Sequence, residues 1–288
     1  MGAMLPTDQL QPIAVAADEL GYASFAIADH VVDLETLGTP YPYEADGSRR
    51  WDHDCDWPDP WVLVGALGAA TTRLTFFTSI YVAALRSPYQ VAKSVGTAAV
   101  LTGGRVRLGV GVGWCREEFE LLGQDFGRRG RATDEGLALL RKLWTEEWAS
   151  SDGPLFPTPR LTMRPRPVAP VPILVGGMSE VALRRAARHD GWIGDVSSTD
   201  DAIGYATRLR ELRAELGRTP ADGVAPATVI AALSDAILPD DFARAEAGGV
   251  TDVMTMPWLY YYGRKATLDQ KLDGMERFAN DVLKPLNG

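Results

Sequence analysis

Cysteine is nearly absent from this chain: among 288 residues only Cys55 and Cys115 are cysteines, far apart and in no metal-type spacing. That excludes a disulfide-stapled scaffold and fits two reduced thiols in a cytoplasmic protein. No apolar run approaches the ~20 residues that cross a bilayer, and no basic segment leads into an apolar one at the start, so neither a membrane span nor a secretory leader is expected. Positive charge is also in short supply. With 29 Lys and Arg against 38 Asp and Glu, the formal net charge is −9, and the basic residues are scattered, which argues against nucleic acid as a partner. Low-complexity tracts, domain boundaries and repeats longer than one strand–helix unit are missing too.

What the chain does have is a composition of 46% apolar and 23% charged residues, enough for a sizeable core in one large domain. Its centre is the stretch from Leu101 to Gly123. Val106, Leu108 and Val110 alternate with smaller or polar residues, glycines at 109, 111 and 113 end the run, and Arg116, Glu117 and Glu118 begin a helical pattern. A strand, a bare turn and a helix start leave backbone N–H groups and the positive end of a helix dipole facing one point, a way to hold a phosphate without a basic side chain. The alternative is glycines that only let a buried strand pack and turn. Trp114 stands where a dinucleotide fingerprint needs its third glycine, so a Rossmann site is not expected.

In chain order, Gly2 to Leu5 is the first apolar segment, and Thr7 caps a helix with Ile13, Val15, Ala16 and Leu20 inward and Gly21 as its stop. Tyr22 to Ala28 reads as the second strand and ends in Asp29-His30. From Val31 to Asp59 periodicity vanishes among Pro, Gly, Tyr, Trp and Asp, as in a lid or binding loop. A helix over Pro60 to Ala70, a strand over Leu74 to Ser79 and a helix from Pro88 to Leu101 precede the central strand. Arg131 to Trp144 is helical. Ser150 to Pro172, with its many prolines, is an insertion with one short edge strand at Leu161 to Met163. Strands at Ile173 to Val175, Trp192 to Gly194, Thr228 to Leu233 and Asp252 to Met256 follow, each leading into a helix, the last from Thr267 to Leu283. Eight strands alternating with helices predict a single (β/α)8 TIM barrel over residues 1–288, with insertion loops after the second strand and before the fifth.

Active sites of such barrels lie at the C-terminal ends of the strands. That gathers Asp29-His30, Ser79-Ile80, Gly111 to Trp114, Gly176-Gly177 and Pro257-Trp258 into one ring of candidates. A histidine directly after an aspartate at a strand end reads as a functional group, against the alternative of a structural histidine bonded to a neighbouring loop. Asp52-His53-Asp54-Cys55-Asp56 is rich in ligand atoms, but neighbours in sequence point in different directions, and no metal is expected. Tyr41, Tyr43, Trp51, Trp57 and Trp61 suggest a hydrophobic or planar substrate. Trp258 and Tyr260 to Tyr262 line the substrate mouth or a subunit contact; the sequence leaves both open.

Several segments resemble the bacterial luciferase-like monooxygenase superfamily and, within it, the branch using the deazaflavin coenzyme F420. They are Arg86-Ser87-Pro88, Leu101 to Arg105, Leu108 to Trp114, Arg116 to Phe119, Arg128 to Glu135 and Pro172 to Gly177 with Ala187 to Trp192, in order along nearly the whole chain. The resemblance implies a flavin or deazaflavin across the barrel mouth, its phosphate held by backbone near Gly113 and near Gly176, Gly177 and Met178, with Gly111 and Trp114 beside it. It implies hydride transfer close to His30, with Asp29 as its catalytic neighbour, and a strand bulge with a non-prolyl cis peptide at Ser79-Ile80 supporting a bent deazaflavin. F420 is therefore expected over FMN. In the sugar-phosphate dehydrogenase branch an acid follows the glycine run and a tryptophan lies four residues after the histidine; here Trp114 and Leu34 hold those places, and sugar-phosphate oxidation is not carried over. The expected partners are a small organic substrate and a second copy of the chain. The alternatives are an FMN-dependent monooxygenase, a metal-dependent barrel hydrolase and a cofactor-free binding protein.

Overall fold

The computed structural model describes residues 5–287. It contains strands β1 (Ser24–Ile27), β2 (Thr75–Thr78), β3 (Val106–Val110), β4 (Ala149–Ser151), β5 (Thr158–Leu161), β6 (Ile173–Gly176), β7 (Gly191–Ser197), β8 (Thr228–Leu233) and β9 (Asp252–Val253). The helices are α1 (Thr7–Leu20), α2 (Pro60–Ala70), α3 (Pro88–Leu101), α4 (Arg116–Leu121), α5 (Arg129–Thr145), α6 (Glu180–Ala187), α7 (Thr199–Glu215), α8 (Pro239–Ala247), α9 (Leu268–Phe278) and α10 (Lys284–Asn287). The chain is thus α/β, with helices following parallel strands. Seven of the eight expected strands appear as β1, β2, β3, β6, β7, β8 and β9; residues 2–4 of the expected first segment lie outside the described residues. Among the described residues no helix is long and apolar enough to cross a membrane.

The residues form two compact units. One holds the described part of Met1–Thr7 with Ile27–Ala69 and Phe76–Val171; the other holds Asp8–Ala26, Ala70–Thr75 and the chain from Pro172. In the first, β2 and β3 pair in parallel with Phe76 opposite Val106 and Phe77 opposite Arg107, and Ser79 N donates to Ile27 O at 2.7 Å. Phe76, Val106, Leu108 and Val110 are fully buried, the near-continuous apolar run expected of strands covered on both faces. Pro88 at the first helical position starts α3, and Gly103 and Gly104, at φ 65 and 90, turn the chain out of it, since only glycine takes that conformation without strain.

In the second unit β6, β7, β8 and β9 pair in parallel in chain order, around Ile173, Leu174, Trp192 and Ala231. Ser179 caps α6 through Ala182 N, and Ser198 caps α7 through Asp201 N, each satisfying a backbone donor that the helix leaves open.

Some boundaries differ from expectation for identifiable reasons. The buried face of α1 is Leu10, Ile13, Ala14, Ala17 and Asp18, with Val15, Ala16 and Leu20 only half-buried. A charged residue turns inward because Asp18 accepts the N–H groups of Thr72, Arg73 and Leu74 and the Thr72 hydroxyl. The insertion carries two short antiparallel strands, β4 and β5, rather than one edge strand; Glu135 of α5 fixes the turn between them by accepting the N–H groups of Leu155 and Phe156. Trp258 and the tyrosines after β9 pack on α9 and the turn that follows it. Trp258 backbone lies against Gly274, Tyr260 stacks on Phe278 at 5.1 Å, and the Tyr261 hydroxyl donates to Asp281.

Candidate active site

Two residues beyond β1 the chain places Asp29, and then His30. Asp29 is buried, and both its oxygens are taken by the Arg86 guanidinium at 2.8 Å, with Val82 N–H also donating at 2.9 Å. Burial pushes this carboxyl up, against the pull of Arg86, while Asp29 holds the Arg86 guanidinium above its ordinary value against burial. The two effects oppose one another. The two-pronged contact decides for an ion pair, because a neutral carboxyl would leave the always-charged Arg86 buried without a counterion. Asp29 thus ties the end of β1 to the segment after β2, and its oxygens are occupied.

His30 Nδ1 lies 3.0 Å from Glu118 Oε2, on the first turn of α4, while Glu118 Oε1 accepts Val31 N at 2.6 Å. Burial opposes the charged form of Glu118, but His30 and the Val31 and Val32 N–H groups outweigh it and hold the carboxyl below its ordinary value. An ionised carboxylate only accepts, so Nδ1 presents its hydrogen to Glu118 and Nε2 is the nitrogen left to take up or give a proton. Around the ring stand Trp57 at 4.7 Å, Trp51 at 5.4 Å and Trp114 at 5.9 Å between centroids, with Tyr41 at 5.2 Å from both Trp51 and Trp114. The long loop after β1 and the turn after β3 therefore meet at one imidazole.

Ser79, Ile80 and Gly111 are brought together. The Ser79-Ile80 peptide is cis, Tyr81 N and O bond Gly109 O and Gly111 N, and a Cβ on Gly111 would lie 1.9 Å from Ile80 Cδ1. Gly113 has φ +83, and a Cβ there would meet Phe119 and Val82 at 2.6 Å. Glycine at both positions is thus already demanded by the protein's own packing. The backbone N–H groups of Gly113 and Trp114 nonetheless have no partner among the described residues, while Arg129 Nε donates to Gly113 O, so the turn offers donors before α4.

In the other unit, Gly176 is the buried last residue of β6 and Gly177 takes φ +121, a glycine conformation. Its carbonyl accepts the Trp192 indole N–H at 2.7 Å, and Met178 Sδ accepts Asp195 N at 3.3 Å. The turn is braced from β7 and leads directly into capped α6.

Two residues with defined parts here were not singled out by sequence. In the sequence Glu118 belongs to the start of a helical pattern and Arg86 to a segment that carries the resemblance, neither with a role; what pairs them with His30 and Asp29 is distance in space, for which the chain gives no local signal. In the acidic segment at 52–56, Asp56 accepts the N–H and hydroxyl of Thr7.

Parallel strands each followed by a helix, with a histidine–carboxylate pair just beyond a strand end and glycine turns after others, define an α/β protein with an enzyme-like site. The chain belongs to the luciferase-like monooxygenase family, which matches residues 2–277. It is 36% identical over 274 residues to an uncharacterized protein of Mycobacterium tuberculosis, covering 94% of this chain and 93% of that one. It is 31% identical over 185 residues to the F420-dependent glucose-6-phosphate dehydrogenase of Kribbella flavida, covering 62% of this chain and 51% of that protein. A solved F420-dependent secondary alcohol dehydrogenase, in complex with an F420–acetone adduct, shares the fold at TM-score 0.74 and 16% identity, over 96% of this chain and 94% of that one. The protein is thus one of the luciferase-like oxidoreductases, a group with F420-dependent members.

Proposed function

We propose that the protein transfers a hydride between coenzyme F420 and a small organic substrate, on a single (β/α)8 barrel that works as a cytoplasmic homodimer. The observation that carries this reading is the His30–Glu118 pair, which leaves an acid–base nitrogen three residues beyond β1 in a chain of this family.

The residues fit a phosphorylated tricyclic cofactor. Gly113 and Trp114 offer unpaired backbone donors, the Gly177 turn takes a conformation that suits close approach of an anion, and Ser79, Ile80 and Gly111 form one packed surface. Gly176 and Met178 complete the proposed cofactor-binding set, and Trp114 supplies an apolar wall. When bound, the deazaflavin supplies a carbon that accepts or gives a hydride. The chain's own part is the proton: Glu118 fixes Nδ1–H, and His30 Nε2 takes the hydroxyl proton as a substrate carbinol is oxidised, or returns it in the reverse direction. Asp29, with its oxygens on Arg86, acts by holding the segment that carries His30.

Equilibrium binding of F420 and of FMN to the purified protein tests the reading. F420 should bind at least about tenfold more tightly than FMN, and His30→Ala should keep that binding while losing turnover of reduced or oxidised F420. Tight FMN binding with none for F420 would make the protein a flavin-dependent monooxygenase instead.

A further inference from the structure

Among the rings packed about His30, two carry a donor that nothing takes up. Trp51 Nε1 and Trp57 Nε1 are both buried and have no hydrogen-bond partner among the described residues. The Trp61 indole belongs to α2 and packs on Tyr81. A buried N–H without an acceptor is costly, and native proteins keep few of them. Here two stand side by side: the Trp51 and Trp57 rings are 5.3 Å apart, and both touch the imidazole that Glu118 orients. They lose water in this arrangement and gain only ring edges.

The surroundings select what would satisfy them. The cluster contains the Glu118 carboxylate, and the acids of the same loop lie close enough that Asp54, Asp52 and Asp33 add to burial in pushing the Cys55 thiol up. The loop's two arginines are taken up within it, Arg49 by Asp33 and Arg50 by Glu44, so the charge left over is negative: an anion entering there meets charge of its own sign, and a cation brings no acceptor. Tyr41, Trp51, Trp57 and Trp114 otherwise present apolar ring surface.

We propose that Trp51 and Trp57 form the recognition site for a neutral carbonyl group on an apolar cyclic molecule, the two indole N–H groups sharing the two lone pairs of one carbonyl oxygen beside His30. This deepens the reading of His30 as the proton carrier and rests on it: a carbonyl so held is a hydride acceptor whose oxygen takes up a proton as its carbon is reduced. The specificity lies in residues of the long loop after β1, at positions unrelated to the glycine turns.

The test needs no cofactor, so its failure is separable from failure of the F420 reading. The full chain labelled with nitrogen-15 gives one indole N–H resonance for each of its 8 tryptophans, and Trp51→Phe and Trp57→Phe assign two of them by loss while keeping an aromatic ring. Titration with cyclohexanone should move those two resonances downfield, whereas methylenecyclohexane, of the same shape without the oxygen, should leave them in place. Either Phe variant should bind cyclohexanone at least about threefold more weakly, read on the assigned indole resonance that it retains. Equal shifts with both probes, or cyclohexanone shifts confined to other indoles, would overturn the proposal. If one variant loses its dispersed spectrum, the other decides.

Discussion

Glu118 divides its two oxygens between a side chain and the backbone: one on His30 Nδ1, the other on the N–H groups of Val31 and Val32. The same carboxylate therefore fixes the imidazole tautomer and the direction in which the chain leaves it. Gln at this position fills the same space but can present an amide N–H toward Nδ1, so the ring is free to carry its proton on Nε2. Glu118→Gln should lower the maximal rate by roughly a hundredfold, the usual order for losing acid–base assistance. The pH profile should shift while cofactor affinity and thermal midpoint stay near wild type; a rate loss with an unchanged pH profile would make Glu118 structural only. At this scale sequence reading reached His30 and Asp29, because a strand end is a local pattern, and missed Glu118 and Arg86, because their partners lie far along the chain. For Gly111 and Gly113 the sequence leaves both an anion site and close strand packing open, and the contacts with Ile80, Val82 and Phe119 supply a packing reason for glycine at both.

The long loop at 31–59 is an element without periodicity, so its position must come from specific bonds. The neighbour of Glu118 supplies two of them: Glu117 Oε1 accepts Gly38 N at 2.7 Å and Thr39 N at 2.9 Å. Although burial opposes its charge, these and other hydrogen bonds bring the Glu117 carboxyl down to about 2. Arg49 pairs with Asp33, and Arg50 with Glu44, within the loop. Short α4 thus serves as a bracket, one glutamate for the histidine and one for the loop whose tryptophans cover it. Glu117→Ala should release the 38–39 segment and speed tryptic cleavage after Arg49 or Arg50 by several-fold, with the helical circular-dichroism signal retained. An unchanged cleavage rate would mean that the aromatic packing alone holds the loop. The sequence locates this loop by its lack of pattern, yet in the insertion it shows one edge strand at Leu161 to Met163 where β4 and β5 pair, since proline-rich segments hide short antiparallel pairs.

For the whole molecule, the alternation of strand and helix was legible almost throughout, because buried parallel strands are apolar along their length and helices carry their stops in glycine and proline. The two-residue β9 was overestimated and β7 underestimated; strand length is set by neighbouring strands, which the local pattern does not contain. One property belongs to no single element. Carboxylates across both units accept backbone or hydroxyl hydrogens, and several lie below their ordinary values: Asp18, Asp56, Glu117, Glu118, Asp235 and Asp241. Asp18 is the clearest, brought down to about 2 by the Thr72, Arg73 and Leu74 hydrogens despite burial that works the other way. A carboxyl depressed in the folded state binds fewer protons there than in the unfolded chain, whose aspartates titrate near pH ~4. Its contribution is therefore complete above that value and lost as pH falls through the folded one. The urea midpoint should accordingly be steady above about pH 5 and decline steeply between about pH 4.5 and about pH 2. In Asp18→Asn, which keeps an acceptor but no titrating charge, the midpoint should be lower at neutral pH and the decline shallower over that window. A variant as steep as wild type would show that Asp18 is not held below its unfolded value, and that the acid sensitivity arises from the other carboxylates.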